Sequence, residues 1–123
     1  MFKYVFCVFI SGTNMSIEVL DLNNVREGEW IRITTEEYVD STEAGDFRVV
    51  IDVFRLKENP EIVKIVVRMG NVKSDYLETE GVVILHYPSL MAITSYSYFG
   101  LDAKFIMRRF VKPVWQSIVR RLG

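Results

Sequence analysis

The chain has one cysteine, Cys7, and one histidine, His86, among its 123 residues. One thiol cannot form an internal disulfide, so the sequence predicts a fold held by side-chain packing and a reducing compartment, the cytoplasm. A zinc site needs about four suitable ligands, and one Cys with one His falls short of that number. We therefore expect no disulfide, no metal site and no cofactor.

The chain also lacks the motifs of common catalytic sites. It contains no G-x-S-x-G sequence, so any histidine-based triad would have to use His86, which we expect to be structural or exposed. It contains no glycine-rich loop that could hold a phosphate. Two carboxylate pairs, Glu36 with Glu37 and Glu78 with Glu80, lie near predicted turns and are expected to be solvated. We assign no catalytic residue, and an enzyme is the third of three function classes.

Long hydrophobic runs are also scarce. The longest near the start, Tyr4–Ile10, follows a lysine and precedes small residues, which matches the outline of a signal peptide. However, it is rich in β-branched and aromatic residues, and no A-x-A site follows it. A membrane span needs about 20 apolar residues, so the sequence predicts a buried strand here and no membrane span. A translation start at Met15 stays open.

The composition is that of one folded domain over residues 1–123, with 50% hydrophobic and 25% charged residues. The net charge of −1 combines +5 in residues 102–123 with −6 in the remainder. A basic segment could face nucleic acid or a membrane, or it could dock on acidic strands of its own domain. The near-cancellation favours docking, and nucleic-acid binding is not expected.

Period-two alternation of apolar and polar residues, broken by turn residues, predicts about seven strands. Their short connections favour one curved antiparallel sheet. In the hairpin of residues 47–69, Asp52 is expected to pair with Lys64 or Arg68 on the outer face. The predicted strands are residues 2–10, 15–22, 30–37, 47–53, 62–69, 81–87 and 90–99, with an acidic loop at 39–46.

After Asp102, a suitable N-cap, the period changes to that of a helix of about 20 residues. At about 1.5 Å per residue this helix would be roughly 30 Å long. Its apolar stripe consists of Ala103, Ile106, Met107, Phe110, Val111, Val114, Trp115, Ile118, Val119 and Leu122. The opposite row consists of Lys104, Arg108, Lys112, Gln116 and Arg120.

Pro113 lies in the middle of this helix, where it lacks the N–H that would bond to the Arg109 carbonyl. The apolar stripe nevertheless continues in phase across the proline, because Phe110 and Val114 are four residues apart. This favours one helix that is kinked near residues 109–113. Two straight helices that meet at Lys112 are the alternative.

Antiparallel strands followed by one long amphipathic helix resemble the helix-grip fold of the START-like and birch-pollen-allergen-like (SRPBCC) superfamily. The resemblance covers residues 46–123, where two hairpins (47–69 and 82–98) lead into the helix after SYSYFGLDAKF. Those domains also carry two short helices after their first strand, whereas no 3.6-residue period occurs between Phe2 and Trp30. The resemblance implies an α+β fold whose sheet and helix enclose an elongated apolar cavity for lipids, sterols or aromatic small molecules.

The resemblance implies the cavity, and the phases of the predicted strands and helix indicate which residues would line it. They are Val49, Ile51, Val53, Ile65, Val67, Leu85, Tyr87, Tyr96, Tyr98, Met107, Phe110, Val114 and Trp115. A solid core uses the same residue types, so that alternative stays open.

Two function classes follow. The first is a domain that binds a hydrophobic small molecule, a lipid or an aromatic compound, between the sheet and the C-terminal helix. The second is a non-enzymatic protein-interaction or oligomerising domain, such as a homodimer, with a filled core and no ligand. In that case aromatic residues around Trp30, Tyr38, Phe54 or Phe99 would be buried between chains.

Overall fold

The computed structural model describes the backbone of residues 4–11, 14–21, 28–87, 91–97 and 103–123, and the side chains of residues 28–87 and 104–123. The strands in this part of the chain are β1 (Tyr4–Ser11), β2 (Asn14–Asp21), β3 (Trp30–Thr42), β4 (Gly45–Leu56), β5 (Ile62–Asn71), β6 (Thr79–His86) and β7 (Met91–Ser97). A continuous helical run over 103–122, the C-terminal helix, follows. It consists of α1 (Ala103–Ile106), a π-helical segment (Met107–Val111), a 3-10 turn (Lys112–Val114) and α2 (Trp115–Leu122).

The strands form two antiparallel sheets rather than one. β1 pairs with β2 in a hairpin, and β3 to β7 form a second sheet in chain order. Four strands of this second sheet, β3 to β6, are the ones whose side chains are described. The predicted single sheet of about seven strands is therefore wrong. Alternation shows that a segment is extended, but it does not identify the strand with which that segment pairs.

The connection between β3 and β4 is shorter than the predicted acidic loop at 39–46. β3 continues to Thr42 and β4 begins at Gly45, so a two-residue turn joins them. Gly45 has a φ of 126°, a backbone conformation that glycine adopts without a Cβ clash. The predicted loop at 39–46 is therefore wrong. Its polar residues lie mostly in the solvated ends of two long strands, and polar composition alone does not distinguish a loop from such strand ends.

The sheet has two different faces, because successive side chains of a strand point to opposite sides. Odd-numbered residues of β4, β5 and β6 face the C-terminal helix, and even-numbered residues form the outer face. Together with residues of the helix, the first set forms the helix-facing cluster: Val49, Ile51, Val53, Val63, Ile65, Val67, Val83, Leu85, Ile106, Phe110, Val111, Ile118 and Leu122. A smaller cluster on the outer face contains Leu56, Ile62, Val82 and Ile84.

The C-terminal helix crosses the sheet, with α1 against β6 and β7 and α2 against β3. The predicted apolar stripe is confirmed for the described side chains, since its members are buried or half-buried. The predicted row Lys104, Arg108, Lys112, Gln116 and Arg120 is exposed, as expected. The proposed N-cap Asp102 lies outside the described residues. No helix in the described ranges is long and apolar enough to cross a membrane.

Pro113 is accommodated by a wide turn followed by a tight one. In the π-helical segment the Lys112 N–H bonds to the Met107 carbonyl, and in the 3-10 turn the Trp115 N–H bonds to the Lys112 carbonyl. The extra residue of the π turn and the shorter 3-10 turn offset each other, so the stripe stays in phase. The prediction of one helix that continues across Pro113 is confirmed, and two helices that meet at Lys112 are not observed.

Gly70 lies where the connection between β5 and β6 folds back on β5. A Cβ at this position would be 2.7 Å from the Tyr76 carbonyl oxygen and 3.2 Å from the Leu77 Cα. We predict that Gly70→Ala lowers the free energy of unfolding by about 1–3 kcal/mol, because backbone atoms cannot move away as a side chain can. Urea denaturation measures this loss. Val39→Ala, at an exposed strand position, serves as the control, and equal effects of the two substitutions would contradict the prediction.

Candidate functional site

The predicted lining residues whose side chains are described come together under the C-terminal helix. Seven belong to the buried helix-facing cluster: Val49, Ile51, Val53, Ile65, Val67, Leu85 and Phe110. Four others, Tyr87, Met107, Val114 and Trp115, are partly buried and pack against it; we call these four the rim. The Tyr96 backbone pairs with that of Val82, a residue of the outer cluster. The Tyr96 side chain and all of Tyr98 lie outside the described residues.

The rim borders the π-helical segment. The Tyr87 and Trp115 rings are 6.5 Å apart between centroids and tilted by 54°. This spacing lies within the range at which aromatic pairs attract each other. At the rim, apolar side chains that pack against the helix-facing cluster are only half-buried.

Tyr38 of β3 bonds to the distorted part of the helix. Its hydroxyl donates a 2.9 Å hydrogen bond to the Phe110 carbonyl, which lies three residues before Pro113. In this region π and 3-10 bonds replace the regular pattern, so a partner from outside the helix satisfies a main-chain acceptor. Tyr38 thereby fixes the π-helical segment relative to the edge of the sheet.

Two further side chains of β3 hold the helix beside Tyr38. The Ser117 hydroxyl donates a 2.6 Å hydrogen bond to Glu36, and the Arg109 guanidinium is 2.9 Å from the Asp40 carboxylate. Glu36, Tyr38 and Asp40 alternate along the strand, so they share the face towards the helix. We call these three residues the β3 latch.

The end of the helix has a fourth polar contact. The Arg55 guanidinium donates a 2.9 Å hydrogen bond to the Leu122 carbonyl. The positive charge of Arg55 interacts favourably with the negative end of the helix dipole, and its N–H group satisfies one of the last carbonyls of the helix. The helix is thus attached by polar bonds near its middle and at its C-terminal end.

Sequence reasoning missed the β3 latch. It expected Glu36 in a solvated carboxylate pair and placed Tyr38 in an aromatic surface between chains, whereas the structure shows both side chains bonded to the C-terminal helix. The two carboxylates of that pair have separate partners, Ser117 for Glu36 and Arg48 for Glu37. The sequence clue was the position of Glu36, Tyr38 and Asp40 at every second residue, a spacing that places three side chains on the same face of a strand.

On the outer face, Asp52 is the centre of a polar network. Its side chain is buried, and it accepts hydrogen bonds from Thr35 at 2.6 Å and Arg68 at 2.7 Å. The Arg32 guanidinium is 3.9 Å away. The predicted pairing of Asp52 with a cation of β5 is confirmed, and Arg68 is the closer partner. A buried carboxylate tolerates burial when it has several such partners.

Lys64 lies beside two aromatic rings of the same face. Its Nζ is 4.6 Å from the centre of the Trp30 ring and 4.9 Å from that of Phe54. Burial lowers the pKa of Lys64, and the nearby Glu80 opposes this shift. Trp30 and Phe54 are therefore engaged within the chain, and the Phe99 that was grouped with them lies outside the described residues.

The single histidine also has an acidic neighbour. His86 is buried, and its Nε2 is 3.1 Å from a carboxylate oxygen of the exposed Glu61. Within the described ranges, no group of three His, Cys, Asp or Glu side chains is arranged to hold a metal ion. The chemically reactive side chains around the sheet are thus engaged in contacts that join strands or loops.

No protein-family model, curated protein or solved structure matches the chain. The resemblance to the helix-grip superfamily stays a prediction from the order of strands and helix. The function is therefore argued from the geometry of the helix-facing cluster, the rim and the β3 latch.

We predict that Tyr38→Phe lowers the free energy of unfolding by about 1–3 kcal/mol, because the Phe110 carbonyl loses its donor in a half-buried position. The ring itself is retained, so packing changes little. Chemical denaturation monitored by the fluorescence of the tryptophans measures the loss. Tyr76→Phe, at an exposed loop position, is the matched control, and an unchanged stability of Tyr38→Phe would contradict the role of the hydrogen bond.

Tyr38 also makes stability depend on pH. Burial, reinforced by the charge of Asp40 and opposed by Arg109, raises the pKa of Tyr38 from 10.0 to about 12. At a pH below the unfolded-state pKa of Tyr38, the stabilisation that comes from its protonated, hydrogen-bonded hydroxyl is fully present. As the pH rises from 10 towards 12, the unfolded chain ionises while the folded one stays protonated, and the contribution is lost.

The difference in unfolding free energy between the wild-type protein and Tyr38→Phe should therefore shrink above about pH 10 and stay constant below it. Denaturation curves of both proteins at a series of pH values measure this difference. The other titrating groups, Lys64 included, are common to the two proteins and cancel. A difference that is constant through pH 12 would contradict the assignment.

Proposed function

We propose that the protein is a non-enzymatic interaction domain whose interior is filled by its own side chains. One observation supports this most strongly. The helix-facing cluster contains residues from both the sheet and the helix, and each of them is between 0% and 7% exposed. Such complete burial of both layers is expected of a packed core.

The attachment of the helix supports the same proposal. A lid over a ligand site has to open, and lids belong to the less stable parts of a fold. Here the β3 latch and the bond from Arg55 to Leu122 fasten the C-terminal helix near its middle and at its end. Opening it would break these bonds and expose the whole helix-facing cluster to water.

The polar groups support a structural rather than a catalytic role. Asp52 is bonded to Thr35 and Arg68, and His86 is paired with Glu61. Each of these contacts joins two strands, or a strand and a loop, which is a structural role. From its single cysteine we also propose that the protein works in the reducing cytoplasm.

A second candidate is the binding of a lipid or an aromatic small molecule, and the rim favours it. Tyr87, Met107, Val114 and Trp115 are half-buried apolar side chains beside the wide π turn. π-helical segments often occur at functional sites. In this candidate a ligand would enter between Tyr87 and Trp115 and occupy space within the helix-facing cluster.

Native mass spectrometry of the protein purified from its own host separates the two candidates. For a filled core we expect the mass of the chain alone, 14.3 kDa or a multiple of it. A co-purified apolar molecule, released when the protein is denatured, would contradict the filled core and support the second candidate.

A designed cavity provides the matched positive control. Phe110→Ala should cost about 3–5 kcal/mol and leave a cavity under the helix. Benzene should then raise the melting temperature of this variant and leave that of the wild-type protein unchanged, since engineered apolar cavities of this size bind benzene. Ile118→Ala, at a fully buried position and with a cost of about 2–5 kcal/mol, replaces it if Phe110→Ala does not fold. Stabilisation of the wild-type protein by benzene would contradict the filled core.

A further inference from the structure

The outer side of the C-terminal helix carries positive charge without compensation. Residues 103–122 contain six Lys or Arg and no acidic residue. Arg109 pairs with Asp40, whereas the others form no ion pair with the described part of the chain. These five exposed cations, Lys104, Arg108, Lys112, Arg120 and Arg121, are the basic face.

This arrangement has an energetic cost in the isolated molecule. Lys104, Arg108 and Lys112 follow one another at intervals of four residues, and like charges at this spacing on a helix repel each other. The apolar side of the same helix is already used for the helix-facing cluster. The basic face is therefore a surface that a negatively charged partner would stabilise.

A surface of opposite charge lies at one end of the sheet. There, the turn between β3 and β4 lies beside the connection between β5 and β6. The Val72 N–H donates a 3.2 Å hydrogen bond to the Asp46 carbonyl and joins the two. We call this surface the acidic end. Its carboxylates, all exposed and without an ion pair to any described residue, are Glu43, Asp46, Asp75 and Glu78.

The acidic end has two further features of a contact surface. Tyr76 is 67% exposed and Val72 is 46% exposed. Tyrosine is enriched at protein interfaces, because it combines a large apolar ring with a hydrogen-bonding group. Lys73 is the one cation of this connection, so the net charge of the acidic end stays negative.

Other anionic partners fit the basic face less well. Insertion into a membrane requires a broad exposed apolar face, and among the described side chains of this helix Phe105 is the one large apolar residue that is exposed, the others being buried or half-buried. A nucleic acid would be repelled by the rest of the chain, where acidic residues exceed basic ones. The acidic end of another copy supplies the opposite charge and is present at the same concentration as the basic face.

We infer that the basic face binds the acidic end of a second copy of this chain. This inference rests on the proposed function, because it names the partner of the interaction domain. The two surfaces differ, so the contact is head-to-tail, and each added copy leaves one basic face and one acidic end free. The expected product is a short open chain of copies, held mainly by charge.

Charge reversal on each surface tests the inference. The first variant, Lys104→Glu with Arg108→Glu and Lys112→Glu, changes the charge of the basic face from +5 to −1; the second, Asp75→Lys with Glu78→Lys, changes that of the acidic end, Lys73 included, from −3 to +1. Analytical ultracentrifugation of the wild-type protein in low salt should show a mean mass that rises with concentration and returns to the monomer at about 0.5 M salt. Each variant alone should be monomeric, because its two surfaces then carry the same sign.

An equimolar mixture of the two variants should associate again, since the unchanged acidic end of the first variant matches the unchanged basic face of the second, and the two reversed surfaces also carry opposite charges. The two variants in the mixture should associate at least tenfold more tightly than either variant associates with itself. The five substituted side chains are exposed and have no described ion-pair partner, so the melting temperatures should stay close to that of the wild-type protein. That measurement excludes unfolding as the reason for lost association.

Three results would overturn the inference. They are a wild-type protein that stays monomeric at every concentration in low salt, association that both reversals leave intact, and binding of a single-stranded oligonucleotide by the basic face without self-association. A ligand-free monomer contradicts this inference and leaves the filled core standing. A bound apolar molecule in native mass spectrometry contradicts the filled core, whatever the ultracentrifuge shows.

Discussion

The structure depends on how the C-terminal helix accommodates the missing N–H of Pro113. A π turn before the proline and a 3-10 turn at it keep the two halves of the helix in phase. Without this compensation, Ile118 and Leu122 would not share a face with Ile106 and Phe110. The sheet would then be covered by half a helix, and much of its apolar face would be left in water.

Tyr38 connects this local distortion to the sheet. Its hydroxyl satisfies the Phe110 carbonyl, and its neighbours in the β3 latch bind Ser117 and Arg109. All three latch residues lie on one face of the edge strand. The polar bonds thus fix the position of the helix, while the apolar contacts supply most of the stabilisation. This division of roles explains how a helix with a basic outer side packs closely on a sheet face that is mostly apolar.

Features that depend on local pattern could be predicted from the sequence. The helix, its apolar stripe and its exposed row follow from periodicity, and the pair of Asp52 with Arg68 follows from the phase of one hairpin. Contacts between distant segments could not be predicted. β1 pairs with β2 and not with the larger sheet, but the alternation of apolar and polar residues would be the same in either case. Nothing in the sequence links the Tyr38 hydroxyl to the Phe110 carbonyl, 72 residues away. The eleven described lining residues were grouped correctly because the core selects apolar residues at regular spacing, but that spacing is the same for a filled core and for a pocket.

The central claim is that side chains of this chain fill the space between the sheet and the helix. X-ray diffraction from wild-type crystals pressurised with xenon tests it most directly, because xenon enters apolar cavities and scatters strongly. The account predicts no xenon among Val49, Ile51, Phe110 and Ile118, and a Tyr38 hydroxyl within hydrogen-bond distance of the Phe110 carbonyl. An ordered xenon atom between the sheet and the helix would contradict it.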